Sequence, residues 1–155
     1  MGIKSDFNLA DAKKQFSAFV EEVDALALEM MQELGEKCVA EMRLNKTYMM
    51  QTGALTSSSG YSLFKDGVAI HSNFVEADGA KSDAAARGVA RGEELAEQVG
   101  AETEGLSLVV VAGMHYAIFV ESRGYNVISS AEQLAERELP RMLSELISNV
   151  KAAAE

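Results

Sequence analysis

The most apolar stretch of the chain, residues 109–124, changes its spacing part-way along. It opens with consecutive β-branched residues, which is typical of a buried strand, and it breaks at Gly113. The residues that follow recur at the three- and four-residue spacing of one helical face: Tyr116, Ala117, Val120 and Glu121. The pattern predicts a buried strand over 106–112 and then a short helical turn that ends at Gly124.

A long helical pattern runs from Asn8 to about Leu44, with no proline inside it. Its apolar residues recur at alternating steps of four and three: Phe16, Val20, Val23, Ala27, Met30, Leu34 and Cys38. Asn8 is placed to cap this helix, which would be roughly 50 Å long. Two interpretations stay open. The helix is either a single well-buried core element, or it covers the sheet with one face and meets a neighbouring subunit with its flank.

Residues 55–74 alternate as the strands of a β-hairpin do. The alternating positions are Leu55, Ser57, Ser59, Tyr61 and Leu63, and then Val68, Ile70, Ser72 and Phe74. Between them lies Asp66-Gly67, a strong hairpin signal because a type I′ turn needs positive φ at both central residues. The pattern predicts two strands joined by this turn, with Thr56 to Ser59 on a polar strand face.

Residues 76–105 are rich in alanine, glycine and glutamate, and residues 76–104 contain eight acidic and three basic side chains. A helical pattern covers 84–99, but Gly88 and Gly92 weaken it and its apolar face is thin. A partly mobile loop with a helical middle is therefore predicted. The Gly-x-x-x-Gly spacing resembles a membrane dimer motif, but Arg87 and Arg91 beside it exclude that setting.

The last part of the chain predicts a short strand over 125–128 and a closing helix. Ser130 and Gln133 have the spacing of a capping box at the start of that helix. One face of it carries Leu139, Met142, Leu143, Leu146, Ile147 and Val150. Pro140 lies inside the helix, so a kink or a restart near Leu139 is expected.

The order of these elements predicts a single α+β domain over 1–155, with an excursion at about 76–105. Its parts are a long N-terminal helix, a small mostly antiparallel sheet with helices on one side, a short helix after the buried strand, and a C-terminal helix. A chain of 155 residues with 48% hydrophobic content can bury one core of this kind. The single cysteine, Cys38, excludes an internal disulfide and is predicted to be a small buried hydrophobe.

The net charge of −10 limits the classes of partner. Neutralising phosphates requires clustered lysine and arginine, which the sequence lacks, so no nucleic-acid partner is expected. No apolar run approaches the length of a membrane span, and the N-terminus lacks the layout of a secretory signal. The protein is therefore expected to stay in the cytoplasm where it is made.

Candidates for catalysis or metal binding are few. His71 and His115 are the only histidines, and each is interpreted as structural. His115 and Glu121 lie six residues apart, on different faces of a helix, which matches no helical zinc site. Neither a Gly-x-Ser-x-Gly elbow nor a phosphate-binding loop occurs. No catalytic residue, cofactor or metal is predicted.

Glu121 is the one acidic residue embedded in an apolar run. A buried carboxylate is costly unless it is paired or hydrogen-bonded, so it needs a dedicated partner. The candidates are backbone N–H groups after Thr52, or the side chains of Arg123 or Arg43. Glu121 is therefore interpreted as a structural clasp rather than a catalytic acid.

Two short motifs follow the long helix and the buried strand. The first reads Thr52-Gly53-x-Leu55-x-x-Ser58, and the second reads Gly113-x-His115-Tyr116-Ala117-x-x-Val120-Glu121-x-x-Gly124. In this order they resemble the signatures of a family of tailed-bacteriophage head–tail connector proteins, also called tail-completion, neck or minor tail proteins. Many members have Pro-x-Asp where Met49-Met50-Gln51 stands here.

The resemblance implies a non-enzymatic structural protein of phage or prophage virion assembly. Such a protein would join head and tail as a homo-oligomeric ring, with the portal and tail proteins as partners, first in the host bacterial cytoplasm and then in the virion. The motif residues would be structural. Two other classes stay open: a small enzyme that uses Glu121 and His115 in a pocket beside the sheet, and a regulatory module that binds a basic protein through residues 93–104.

Overall fold

The computed structural model describes residues 8–154, which fold around a three-stranded antiparallel sheet. Strand β1 lies at the centre and pairs with both neighbours, in the order β2-β1-β3. The predicted α+β class, with its long first helix, short helix after the buried strand and closing helix, is confirmed. The elements in chain order are α1 (Leu9–Leu44), α2 (Ala54–Ser57), β1 (Ser59–Lys65), β2 (Val68–Asn73), α3 (Ser82–Gly100), β3 (Leu106–Ala112), α4 (Ala117–Ser122) and α5 (Ser129–Ala154).

Helices cover both faces of the sheet. On one face, Tyr61 and Leu63 of β1 pack with Val39 of α1. On the other, Phe64 of β1 packs with Ala96 of α3. The prediction of helices on one side only is therefore wrong, and the reason is that β1 is central and buried on both faces.

The Asp66-Gly67 turn of the hairpin is confirmed, with φ of 50° and 81° at its two central residues. The predicted start of the first strand, at Leu55, is wrong. Strand alternation was expected from Leu55, but residues 54–57 form the single turn of α2, and the strand begins at Ser59. Thr56 to Ser59 form no polar strand face; all four are buried. Val68 and Ile70, on the edge strand β2, are exposed.

Residues 82–100 form a regular helix, α3. The helical pattern predicted at 84–99 is confirmed, but it belongs to a packed helix with a buried face and not to a partly mobile loop. Its inward face consists of small residues, which permit a close backbone approach: Ala84, Ala85, Gly88, Gly92, Ala96 and Gly100. A Cβ built on Gly88 would lie 2.2 Å from the carbonyl oxygen of Ala54, and one on Gly92 would lie 2.5 Å from that of Ser58. The helix is thus part of the core.

Helix α1 is buried only in its second half. Asn8 caps it as predicted, and its side chain accepts the N–H of Ala10 at 3.0 Å. The buried residues are Met30, Leu34, Gly35, Cys38, Val39 and Met42. In the first half, Leu9 is 59% exposed, Phe16 69% and Val20 41%. A single well-buried core helix is therefore excluded.

Cys38 lies between α1 and α5, where it is 1% exposed. Burial, reinforced by nearby Glu41, raises the pKa of its thiol to about 11. The prediction of a small buried hydrophobe is confirmed. None of the helices within residues 8–154 combines the length and the apolar character that crossing a membrane requires.

Helix α5 packs against α1 through Ala131 and Met142. It passes through Pro140 without the predicted restart. Residues 125–128 form an irregular loop instead of the predicted strand. The predicted capping box of Ser130 and Gln133 is replaced, because the Oδ1 of Asn126 accepts the N–H of Ser130 at 3.1 Å.

Candidate functional site

The two sequence motifs lie against each other, although β1, β2, α3 and β3 separate them along the chain. Ser58 joins them: its carbonyl accepts the N–H of Gly113 at 3.1 Å, and its hydroxyl accepts the N–H of Met114 at 3.3 Å. The same hydroxyl donates to the carbonyl of Leu55 at 2.7 Å. Leu55 in turn belongs to a buried cluster with Met114 and Ala117. One packed unit therefore contains both motifs.

The Thr-Gly pair of the first motif turns the chain into α2. Gly53 has a φ of 86°, in the left-handed region that favours glycine, and a Cβ there would lie 2.2 Å from the Cβ of Ala80. The carbonyl of Thr52 accepts the N–H of Lys81 at 2.9 Å. The turn thereby fastens the segment that leads into α3.

The second motif surrounds α4. Tyr116 and Val120 are half-buried against the cluster that contains Leu55. Burial raises the pKa of the Tyr116 hydroxyl, and the positive charge of Arg87 opposes that shift. Gly124 has a φ of 88°, and its N–H donates to the carbonyl of Glu121 at 3.0 Å. The predicted end of the helical turn at Gly124 is confirmed.

The Glu121 carboxylate fastens α4 to the start of α5. One oxygen, Oε2, accepts the N–H groups of Val127 at 2.7 Å and Ile128 at 2.9 Å, while Oε1 accepts the hydroxyl of Ser129. Burial by itself would raise the pKa of this carboxyl. The hydrogen bonds from Ser129 and from the backbone outweigh that effect and hold the pKa below its ordinary value. All three of these hydrogen bonds join α4 to the chain at the start of α5.

Glu121 has dedicated partners, as predicted, but all of the partners proposed from the sequence are wrong. Arg43 donates to the carbonyls of Ser59 at 3.1 Å and Val75 at 2.6 Å. Arg123 lies over the ring of Phe119, with its guanidinium carbon 4.6 Å from the ring centroid. After Thr52, the N–H of Ala54 donates to the hydroxyl of Thr52 at 3.4 Å and not to Glu121.

A groove with a volume of about 840 Å³ opens where the two motifs meet. Its floor includes Leu55 and Val120, and its walls carry aromatic and basic side chains. Among residues 8–154, three arginines line it and no aspartate or glutamate does. We call it the arginine groove, defined by the side chains of Met49, Arg87, Arg91, Phe119, Arg123 and Tyr125.

The catalytic pair considered from the sequence does not share this groove. His115 is exposed at its wall, with its ring edge-to-face against Tyr116 at 5.1 Å, whereas Glu121 is absent from the lining. His71 lies on β2 with its Nε2 3.1 Å from the hydroxyl of Tyr61, which also donates to Glu36 at 2.6 Å. Within residues 8–154 no three His, Cys, Asp or Glu side chains are placed to hold a metal ion.

Sequence reasoning missed the basic wall of the groove. In the sequence, Arg87 and Arg91 were used only as evidence against a membrane helix. Their four-residue spacing on a helix places them on one face, and that was the available signal. Arg123 comes from a distant segment, so its position beside them depends on the packing of α4 against α2 and α3.

Ser58→Ala tests the junction between the motifs. We expect a loss of about 2 kcal/mol in the free energy of unfolding, because the buried N–H of Met114 would lose its acceptor. Urea denaturation followed by circular dichroism measures this. The matched control is Ser122→Ala, an exposed serine that also donates to the carbonyl three residues back, at 2.7 Å. The control is expected to change stability by less than about 0.5 kcal/mol, and equal losses would contradict the role given to Ser58.

Comparisons with known proteins leave this site to be interpreted from its own residues. No protein-family model, no curated protein and no solved structure matches the chain.

Proposed function

We propose that this protein is a non-enzymatic structural component of phage or prophage virion assembly that joins head and tail as a homo-oligomeric ring. Its partners would be further copies of itself, the portal and the tail proteins. It would act in the host bacterial cytoplasm during assembly and remain in the virion.

The observation that carries this proposal is the uncovered apolar surface on the first half of α1. No residue of α1 before Met30 is buried. Phe16 and Val20 nevertheless keep the helical spacing of the apolar stripe that is buried further along. An amphipathic helix gains most of its stability by packing its apolar face, so another chain is expected to cover this one.

Three further features favour a role in assembly over a role in catalysis. Leu143 and Ile147 of α5 are 40% and 54% exposed. Glu121, the most plausible catalytic acid in the sequence, has both oxygens engaged in holding the start of α5. The net charge of −10 also suits a ring through which DNA passes without sticking.

No observation favours the acidic binding module. That hypothesis treated residues 93–104 as a detachable segment whose removal leaves the fold intact. Ala96 is 0% exposed and packs with Phe64, and a Cβ built on Gly100 would overlap the Phe64 ring. Removing this segment would open the core.

Deletion of the gene from the phage or prophage that carries it tests the proposal. We expect lysates in which heads and tails are present but unjoined, because the connecting ring is missing. Negative-stain electron microscopy and plaque counts measure this, and the wild-type gene supplied from a plasmid should restore joined particles. Normal particles from the deletion strain, or purified virions in which mass spectrometry finds no copy of the protein, would refute the proposal.

A further inference from the structure

Two oppositely charged surfaces lie at the two ends of α3. The N-terminal part of the helix carries Arg87 and Arg91, which line the arginine groove. Its C-terminal end meets the hairpin turn of the sheet, since a Cβ built on Gly67 would lie 2.7 Å from the carbonyl oxygen of Ala101. We call this second end the acidic tip, defined by Asp66, Gly67 and residues 99–105.

The acidic tip is held in one shape by its own hydrogen bonds. The N–H of Asp66 donates to the carbonyl of Gly105 at 2.9 Å, and the N–H of Gly105 donates to the Oδ1 of Asp66 at 2.9 Å. Thr103 donates its N–H and its hydroxyl to the carbonyl of Gly100, at 3.1 and 2.6 Å. A surface that is already ordered loses little conformational entropy when it binds a partner.

The acidic tip presents exposed negative charge. Glu102 and Glu104 are exposed, and neither forms an ion pair in the described part of the chain. Lys65, the basic residue before the hairpin turn, is engaged by Asp24 at 3.6 Å. The C-terminal end of a helix disfavours negative charge, so Glu97 in the last turn and Glu102 beyond it do not stabilise α3. A basic surface on another chain would compensate these charges.

The arginine groove is locally basic on an acidic protein. Arg91 pairs with the exposed Glu94 at 2.9 Å. Arg87 and Arg123 form no ion pair within residues 8–154. Asp83 lies one turn before Arg87 on α3 and forms no ion pair with it either. The groove therefore offers two unpaired guanidinium groups to an acidic partner.

Each of the two surfaces also places an apolar side chain beside its charge. In the groove, the guanidinium of Arg123 lies over the ring of Phe119, which is 57% exposed. On the tip, Val99 is 48% exposed and lies three residues before Glu102, on a turn that continues the helix. Residues three apart on such a turn lie on the same side. Acidic and apolar groups on the tip thus match basic and apolar groups in the groove.

A chain cannot place its acidic tip in its own groove. Val99 lies 12 residues after Arg87 on the same helix, which corresponds to roughly 18 Å. The helix is fixed along this length, because Gly92 lies against Ser58 and Gly100 against Phe64. The contact must therefore join two copies. Since it uses different surfaces on the two partners, it is heterologous, and repetition of such a contact closes a ring when its rotation permits.

We propose that the acidic tip of one copy docks in the arginine groove of the next. Glu102 and Glu104 face the two unpaired arginines of the groove, and Val99 lies against the ring of Phe119. This inference rests on the proposed function, because it names a contact through which copies would form the ring. It leaves the uncovered face of α1 for a further contact.

Charge reversal on one side, on the other and on both tests the inference. The tip variant carries Glu102→Lys with Glu104→Lys, and the groove variant carries Arg87→Glu with Arg123→Glu. The full-length wild-type chain should self-associate at high concentration, and each variant alone should associate at least tenfold more weakly, because like charges then meet. A chain with all four changes keeps the wild-type net charge and should associate more tightly than either variant. Sedimentation velocity and native mass spectrometry measure this.

Two charge-matched controls separate this contact from the effect of net charge. Arg137→Glu with Lys151→Glu changes the net charge by the same amount as the groove variant, and Glu132→Lys with Glu136→Lys matches the tip variant. Both pairs lie on α5, away from the tip and the groove, and should associate like the wild type. All four changed side chains of the test variants are exposed, so thermal unfolding of these variants should match the wild type.

Three results in solution would overturn the inference. They are a wild-type chain that stays monomeric at every concentration, a variant that associates like the wild type, and a four-change chain that associates no better than either variant. Association that neither variant weakens would show that the uncovered face of α1 joins the copies without this contact.

Incorporation into virions separates this inference from the proposed function. Virions that exclude both variants but accept the four-change chain would support the contact. Virions that exclude the groove variant but accept the tip variant would assign the groove to an acidic segment of another virion protein. Virions that accept both variants normally would refute the contact while leaving the proposed function standing. Restored association in a protein that never enters virions would refute the proposed function and leave the contact standing.

Discussion

Gly88→Val is expected to lower the free energy of unfolding by about 3 kcal/mol. The Cβ that it adds would lie 2.2 Å from the carbonyl oxygen of Ala54 and 3.0 Å from the Cβ of Ser57. The first of these atoms belongs to the backbone, so α3 would have to move away from α2. Because Leu55 and Ser58 lie in the same short segment, the junction of the two motifs would loosen as well.

Two companion variants separate this steric effect from helix propensity. In an unobstructed helix, Gly88→Ala would raise the free energy of unfolding by about 1 kcal/mol. A lower free energy of unfolding for Gly88→Ala in this protein would therefore identify the steric clash. Ala90→Val places the same side chain as Gly88→Val on the exposed face of α3 and should cost less than about 1 kcal/mol. Urea midpoints of the three proteins measure the order. A stabilising Gly88→Ala would show that α3 does not approach α2 this closely.

The elements that the sequence predicted well are those with strong local signals. The long helix has a regular apolar stripe and an asparagine cap, and both of its boundaries are confirmed. The Asp66-Gly67 turn could be predicted because few residue pairs accept positive φ at two successive positions. Both residues have positive φ in the structure. The β3 strand is confirmed as well, since a run of β-branched residues this short suits little else.

The helical pattern of α3 was predicted, but its place in the core was not, because its inward face is built from glycine and alanine. Hydropathy gives such a face little weight, and helix propensity counts each glycine as a weakness. Small side chains at this face let the backbone of α3 lie against α2 and β1, and that is a property of the packed structure. Small residues recur every four positions along this helix, at Gly88, Gly92, Ala96 and Gly100. That spacing indicates a closely packed helix face, but a hydropathy pattern does not register it.

The two motifs could be located in the sequence, whereas the contacts between them could not. The motif residues of the two segments do pack together, through Ser58 and Leu55. The partners of Glu121 escaped prediction because two of them are backbone N–H groups, which no side-chain pattern marks. The arginine groove escaped prediction because Arg123 and Arg87 are brought together only by tertiary packing.

Replacing Glu121 should destabilise the fold in proportion to the hydrogen bonds that are lost. Glu121→Ala leaves the donors of Val127, Ile128 and Ser129 without this acceptor, and a loss of about 3 kcal/mol is expected. Glu121→Gln keeps an oxygen for the two N–H groups and loses the negative charge, so a loss of about 1.5 kcal/mol is expected. Urea denaturation at pH 7 measures both. The control Glu132→Gln, an exposed acid in the first turn of α5, should cost less than about 1 kcal/mol.

The pH dependence of the same variants tests the charge directly. Because folding lowers the pKa of Glu121, its contribution is fully present above its ordinary pKa of 4.5 and is lost as the pH falls through the lower pKa of the folded state. The stability difference between the wild type and Glu121→Gln should therefore be constant from pH 7 down to about pH 5 and shrink below that. If the stability difference between the wild type and Glu121→Gln stays the same below pH 5, packing accounts for it, and not the charge of the Glu121 carboxylate. An enzyme that needs Glu121 as an acid would instead lose activity in Glu121→Gln with its stability unchanged.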